Sequence, residues 1–77
     1  EFVDRVEAYR VKLYRTALGY LDSQADALEA VDESVYQALR NLKTLRQPEY
    51  FETWLTRITI NTCLKELRRQ RRWQGEI

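Results

Sequence analysis

The sequence predicts an all-α fold, a compact bundle of three to four helices. Three observations lead to this expectation. The chain has 77 residues, enough for one small domain, and a chain of that size buries only ~60% of the surface its unfolded form exposes. It contains two Gly and one Pro, few of the turn signals that a many-stranded fold requires. Its apolar residues also recur at spacings of three and four in three long segments, which is the period of a helix face.

The first segment spreads over about residues 3–20. Phe2, Val6, Tyr9, Leu13, Ala17 and the pair Tyr20/Leu21 form its stripe, with Arg5, Glu7, Arg10, Lys12 and Arg15 mostly off it. One face of a core and a groove for a partner both account for such a stripe. Gly19 and Asp22 mark its end.

The second helix is expected over about residues 24–41. Ser23 is placed to cap its free N–H groups, and Asp26, three residues later, complements the helix dipole. The inward set is Ala27, Val31, Val35, Ala38/Leu39 and Leu42, and the outward set is Glu29, Asp32, Glu33, Tyr36, Gln37 and Arg40. From Asp22 to Arg40 there are five anions and one cation, so few i,i+4 pairs can neutralise the acids. A basic protein partner and a merely solvated face both fit.

Residues 42–48 form a connection, made basic by Lys43 and Arg46, and Pro48 suits the first turn of a third helix. The connection reads as a recognition element or as a plain linker. The third helix is expected over about residues 49–72. Phe51, Leu55, Ile58 and Thr62 share one face, whereas Ile60, Cys63, Leu64 and Leu67 lie nearly opposite. The apolar stripe thus changes sides near Thr59–Asn61. Either the helix is buried between two neighbours, or it bends there and repacks.

The flank of this helix carries Tyr50, Trp54, Arg57, Asn61, Lys65, Arg68 and Arg72 at steps of three and four. Aromatic rings can stack on unpaired bases, Asn offers a donor and an acceptor to a base edge, and cations neutralise phosphates. The structural alternative makes Trp54 core, Asn61 a locally bonded polar residue and the arginines a solvated C-terminus. Lys65, Arg68, Arg69, Arg71 and Arg72 face a single nearby anion, Glu66. Four arginines within five residues exceed what a helix end needs.

Charge is unevenly distributed. Residues 1–64 hold eight cations and ten anions, and residues 65–77 hold five cations and two anions. An acidic body with a basic tail points to nucleic acid or an acidic membrane. The chain has no His and a single cysteine, Cys63. An internal disulfide is therefore excluded, and no catalytic or metal-ligand cluster, Gly-rich phosphate loop or cofactor motif is present. An enzyme is not expected. No apolar run approaches 18 residues and no signal-peptide pattern is present, so membrane insertion is not expected either. The chain does not open on Met, which suggests an excised domain.

With these residues in view, the chain resembles region 2 of a bacterial RNA polymerase sigma factor of the extracytoplasmic-function (ECF) group. The resemblance rests on LYRTALGYL (13–21), DALEAVDESVYQAL (26–39), FETWLTRITIN (51–61) and LKELRRQRR (64–72). The order and spacing of these blocks cover nearly the whole chain.

The resemblance implies a promoter-recognition and DNA-melting module that works in the bacterial cytoplasm. Its second helix, 26–41, would dock on the β′ clamp of the polymerase core through Glu29, Asp32, Glu33, Tyr36, Gln37 and Arg40. The loop 41–50, with Lys43 and Arg46, would capture a flipped base of the −10 element. The helix from 51 onward would read the non-template strand, with Tyr50, Trp54, Arg57 and Asn61 near bases and Lys65, Arg68, Arg69 and Arg72 on phosphates. An anti-sigma factor would cover the same surfaces. The family's helix-turn-helix domain, which reads the −35 element, would lie outside this chain. The chain departs from the family in having Leu28 and Lys65 where acidic residues are common, and Asp32 where Gln is common. A helical protein-interaction adaptor with a basic solvated tail is the alternative function.

Overall fold

A computed structural model describes residues 2–75, excluding the side chains of residues 2, 3, 5, 6, 74 and 75. It consists of three helices, α1 (Phe2–Tyr20), α2 (Gln24–Arg40) and α3 (Phe51–Gly75). Two short 3-10 turns, Leu42–Thr44 and Pro48–Tyr50, connect α2 to α3. There is no strand among the described residues. Each helix packs on the other two, and among the described residues no helix is long and apolar enough to cross a membrane.

Local chemistry sets the element ends. Ser23 has extended backbone (φ −100°, ψ 129°), and its Oγ accepts from the Asp26 N–H at 3.1 Å, which satisfies one of the four donors a helix start leaves free. At the other end of α2, Asn41 donates its Nδ2 to the Gln37 carbonyl at 2.8 Å. Pro48 opens the second 3-10 turn, where its missing N–H costs nothing. That turn runs directly into α3.

The core is made of Leu13 and Ala17 from α1, Leu21 just after it, Ala27, Ala30, Val31 and Ala38 from α2, and Phe51, Leu55 and Cys63 from α3. Phe2 and Val6, expected on the α1 stripe, lie outside the described side chains. Four of these ten core residues are alanines. Such small side chains let helix backbones approach closely but bury little area each.

The structure corrects two expectations. On α2 the packed face is Ala27, Ala30, Val31, Ser34 and Ala38, with Val35 packed against it, so Ala30 and Ser34 replace Leu39 and Leu42 of the expected inward set. Val35 is half-buried, Leu39 is 50% exposed and Leu42 36% exposed. Ser34 is fully buried because its Oγ donates to the Ala30 carbonyl at 2.6 Å, which removes the cost of an unpaired hydroxyl.

On α3 the stripe does not change sides. Phe51, Leu55, Thr59 and Cys63 follow one another at steps of four as a buried row, with Thr62 beside them. Thr59 and Thr62 pass as apolar because each hydroxyl bonds back to the carbonyl four residues earlier, at 3.2 Å to Leu55 and 2.8 Å to Ile58. Leu64, expected on the repacked face, is 37% exposed. Of the two readings the bend falls, since α3 lies against both α1 and α2, Cys63 and Leu67 of the second expected face pack into or on the core, and the helix runs uninterrupted for 25 residues.

Candidate nucleic-acid and protein interfaces

Because α3 buries one row, the opposite side of the same helix is free. At about 100° per residue, the flank of Trp54, Arg57, Asn61, Lys65, Arg68 and Arg72 falls opposite the row through Thr59. Arg57, Asn61, Lys65, Arg68 and Arg72 are all exposed. Tyr50, in the turn before α3, is 58% exposed. Trp54 is half-buried, and its ring sits 6.1 Å from that of Phe51 at a 42° tilt. It thus combines the core and flank positions that the sequence left as alternatives. Lys43 and Arg46 are exposed in the connection, where Leu45 packs against the core between them.

Arg69 is placed differently. Its guanidinium grips Glu66 with both arms, Nε to Oε1 at 3.0 Å and Nη2 to Oε2 at 2.6 Å. Gln70 Nε2 donates to the same Glu66 at 2.9 Å and to Asp26 Oδ2 at 3.0 Å, tying the last third of α3 to the start of α2. Arg69 holds the Glu66 carboxyl below its ordinary value of 4.5, and Glu66 raises the Arg69 guanidinium in return. Burial pushes the Cys63 thiol up, so this cysteine is a packing residue and no ready nucleophile.

The depressed Glu66 has a pH consequence. Its folded-state value lies below the unfolded one, so the unfolded chain binds more protons in that window. The stability it contributes is complete above about 4.5 and is lost as pH falls through the folded value. Urea titrations between pH 3 and 7 are expected to show a shallower acid loss for Glu66→Gln than for the wild type. An unchanged slope would remove Glu66 from the acid response.

On α2 the acidic residues divide by partner. Asp32 accepts from Arg10 Nη2 of α1 at 2.5 Å, and Glu33 accepts from Gln37 at 3.0 Å. Glu29 is exposed. Arg40 lies 5.5 Å from the ring centre of Tyr36. Two residues that the sequence did not place at the site join them here. Leu28 and Leu39 are 52% and 50% exposed, and Tyr36 is 56% exposed. Positions 28, 32, 36 and 39 share an outer face of α2. The signal is present in that spacing, but the small side chains that fill the inner face make a weak stripe, and periodicity places Leu39 inward.

An open groove of about 660 Å³ separates α2 from the last third of α3. Asp26, Glu29 and Glu33 line one wall, and Lys65, Arg69 and Arg72 line the other. The acidic and basic sets therefore meet across one groove. Among the described residues, no group of three or more His, Cys, Asp or Glu could hold a metal ion.

Residues 5–73 match the family described as Sigma-70 region 2. The chain is also 36% identical over 64 residues to the RNA polymerase sigma factor SigV of Bacillus subtilis. That alignment covers 83% of this chain and 39% of the relative, so the chain spans about two fifths of the length of the curated protein it matches. No solved structure matches it.

Proposed function

The chain belongs to the Sigma-70 region 2 family, as a region 2 domain of the ECF type, and we propose that it recognises and helps to open the −10 element of promoters. The observation that supports this most is the exposed flank from Tyr50 to Arg72, aromatic at one end and basic at the other. In this proposal Trp54 and Tyr50 stack on unpaired bases, Arg57 and Asn61 contact base edges, and Lys65, Arg68 and Arg72 take phosphates. The connection 41–50, with Lys43 and Arg46, receives a flipped base. Arg69 pairs with Glu66 within the same helix, so it adds less to phosphate binding than Lys65, Arg68 and Arg72.

Polymerase core docks on the outer face of α2. Leu28, Tyr36 and Leu39 supply apolar contact, and Glu29, Asp32, Glu33, Gln37 and Arg40 supply polar complementarity to the β′ clamp. An anti-sigma factor competes for these surfaces. Catalysis belongs to the polymerase.

The test is a titration with labelled single strands. The domain is expected to bind a −10 non-template oligonucleotide more tightly than a random strand or the matching duplex, with affinity falling as salt rises. Equal, salt-insensitive binding to all three would overturn the proposal in favour of a protein-interaction adaptor. Asn61→Ala is expected to reduce the preference for the cognate strand by roughly tenfold, from loss of a ~1–3 kcal/mol base contact. Asn61 is exposed, so thermal stability should move little. Circular dichroism melts and anisotropy titrations of the same variant separate the two effects.

A further inference from the structure

We propose that Tyr9 of α1, outside the contact sets assigned above, is a positioning residue that fixes how Trp54 presents its indole. The inference rests on the proposal that Trp54 meets an unpaired base, and it adds a residue that no nucleic-acid contact would reveal.

Three rings form a row from α1 to the flank of α3. The Tyr9 and Phe51 centroids are 5.8 Å apart at a tilt of 44°. Phe51 and Trp54 are 6.1 Å apart at 42°. Both distances and tilts are those at which aromatic quadrupoles attract. Phe51, the middle ring, is 1% exposed, so it has no room to turn independently of its neighbours. Trp54 is half-buried, and Phe51 is the ring it rests against.

The far end of the row is also secured. Lys12 Nζ lies 5.4 Å from the Tyr9 ring centre and 3.6 Å from Glu52 Oε2. Glu52 adjoins Phe51 in the first turn of α3, so Lys12 links the Tyr9 ring back to the helix that carries Trp54. Removing the Tyr9 ring therefore loosens Phe51 and lets Trp54 sample further rotamers. An indole spread over several rotamers stacks on a base less selectively, although every phosphate contact remains.

Trp54 and Trp73 are the only tryptophans of the chain, so a Trp73→Phe background isolates the Trp54 fluorescence. In it, Tyr9→Leu removes the ring and keeps apolar bulk, while Tyr9→Phe keeps the ring. Tyr9→Leu is expected to broaden the Trp54 lifetime distribution and lower its anisotropy. It is also expected to weaken cognate-strand binding by about fivefold, with random-strand binding unchanged. Tyr9→Phe is expected to match the wild type in both. Unchanged Trp54 fluorescence in Tyr9→Leu, or a Tyr9→Phe variant as impaired as Tyr9→Leu, would overturn the proposal.

If Tyr9→Leu does not fold, Lys12→Gln replaces it, because Lys12 is exposed and its loss leaves the core intact. A smaller broadening in the same direction supports the positioning role, and no change overturns it. Should the wild type itself bind cognate and random strands alike, the base-stacking proposal fails. The fluorescence comparison still decides whether Tyr9 positions Trp54.

Discussion

Phe51→Ala is expected to leave the domain largely unfolded at room temperature, or to lower its Tm by more than about 12 °C. Phe51 is the largest fully buried side chain, and truncating a buried Phe costs ~3–5 kcal/mol. A domain of this length has only ~4–12 kcal/mol of stability in total, at roughly 0.05–0.15 per residue. Each kcal/mol lost moves the Tm of so small a protein by ~4–8 °C. Leu64→Ala provides the contrast, because Leu64 is 37% exposed and its loss should cost under ~1 kcal/mol. Thermal melts followed at 222 nm check both. A large loss at Leu64 would restore the side-swapping stripe that periodicity alone suggested.

The combined replacement of Lys65, Arg68 and Arg72 by Gln is expected to reduce single-strand affinity steeply at low salt and little at high salt. If each cation meets one phosphate, the slope of log K against log salt should fall by about 2, at ~0.7 per contact. Arg69→Gln should behave in the opposite way. Its guanidinium is engaged by Glu66, so the slope should change little while stability drops. Affinity series between 50 and 300 mM salt decide between these outcomes. A slope change for Arg69→Gln equal to that of each flank cation would place Arg69 on the strand with the others.

Much of the architecture was legible because helices reveal themselves locally. Ser23 followed by Asp26 announces a start, and Leu13, Ala17 and Leu21 announce a face. The solvent flank of α3 was legible for the same reason, since the positions of Arg57, Asn61 and Lys65 depend only on helical period. Misplacement occurred where burial depended on something other than hydrophobicity. Thr59 is buried because its hydroxyl returns to its own backbone, and Ser34 and Ala30 because α2 packs through small side chains. Contacts distant in sequence were hidden altogether. No periodicity links Arg10 to Asp32, 22 residues away, or Asp26 to Gln70, 44 residues away.

The unbroken course of α3 has a metrical consequence. With a rise of ~1.5 Å per residue, Trp54 and Arg72 are held about 27 Å apart along one rigid axis, in a molecule whose longest dimension is 46 Å. The helix acts as a gauge, fixing both the distance and the angular phase between its aromatic and basic ends. Adding one residue between Asn61 and Thr62 would lengthen that gauge by only ~1.5 Å, yet it would turn one end by ~100° relative to the other. Length along this segment is therefore far less tolerant than composition. Substitutions can tune the individual marks on the scale, whereas a single insertion misaligns the whole of it.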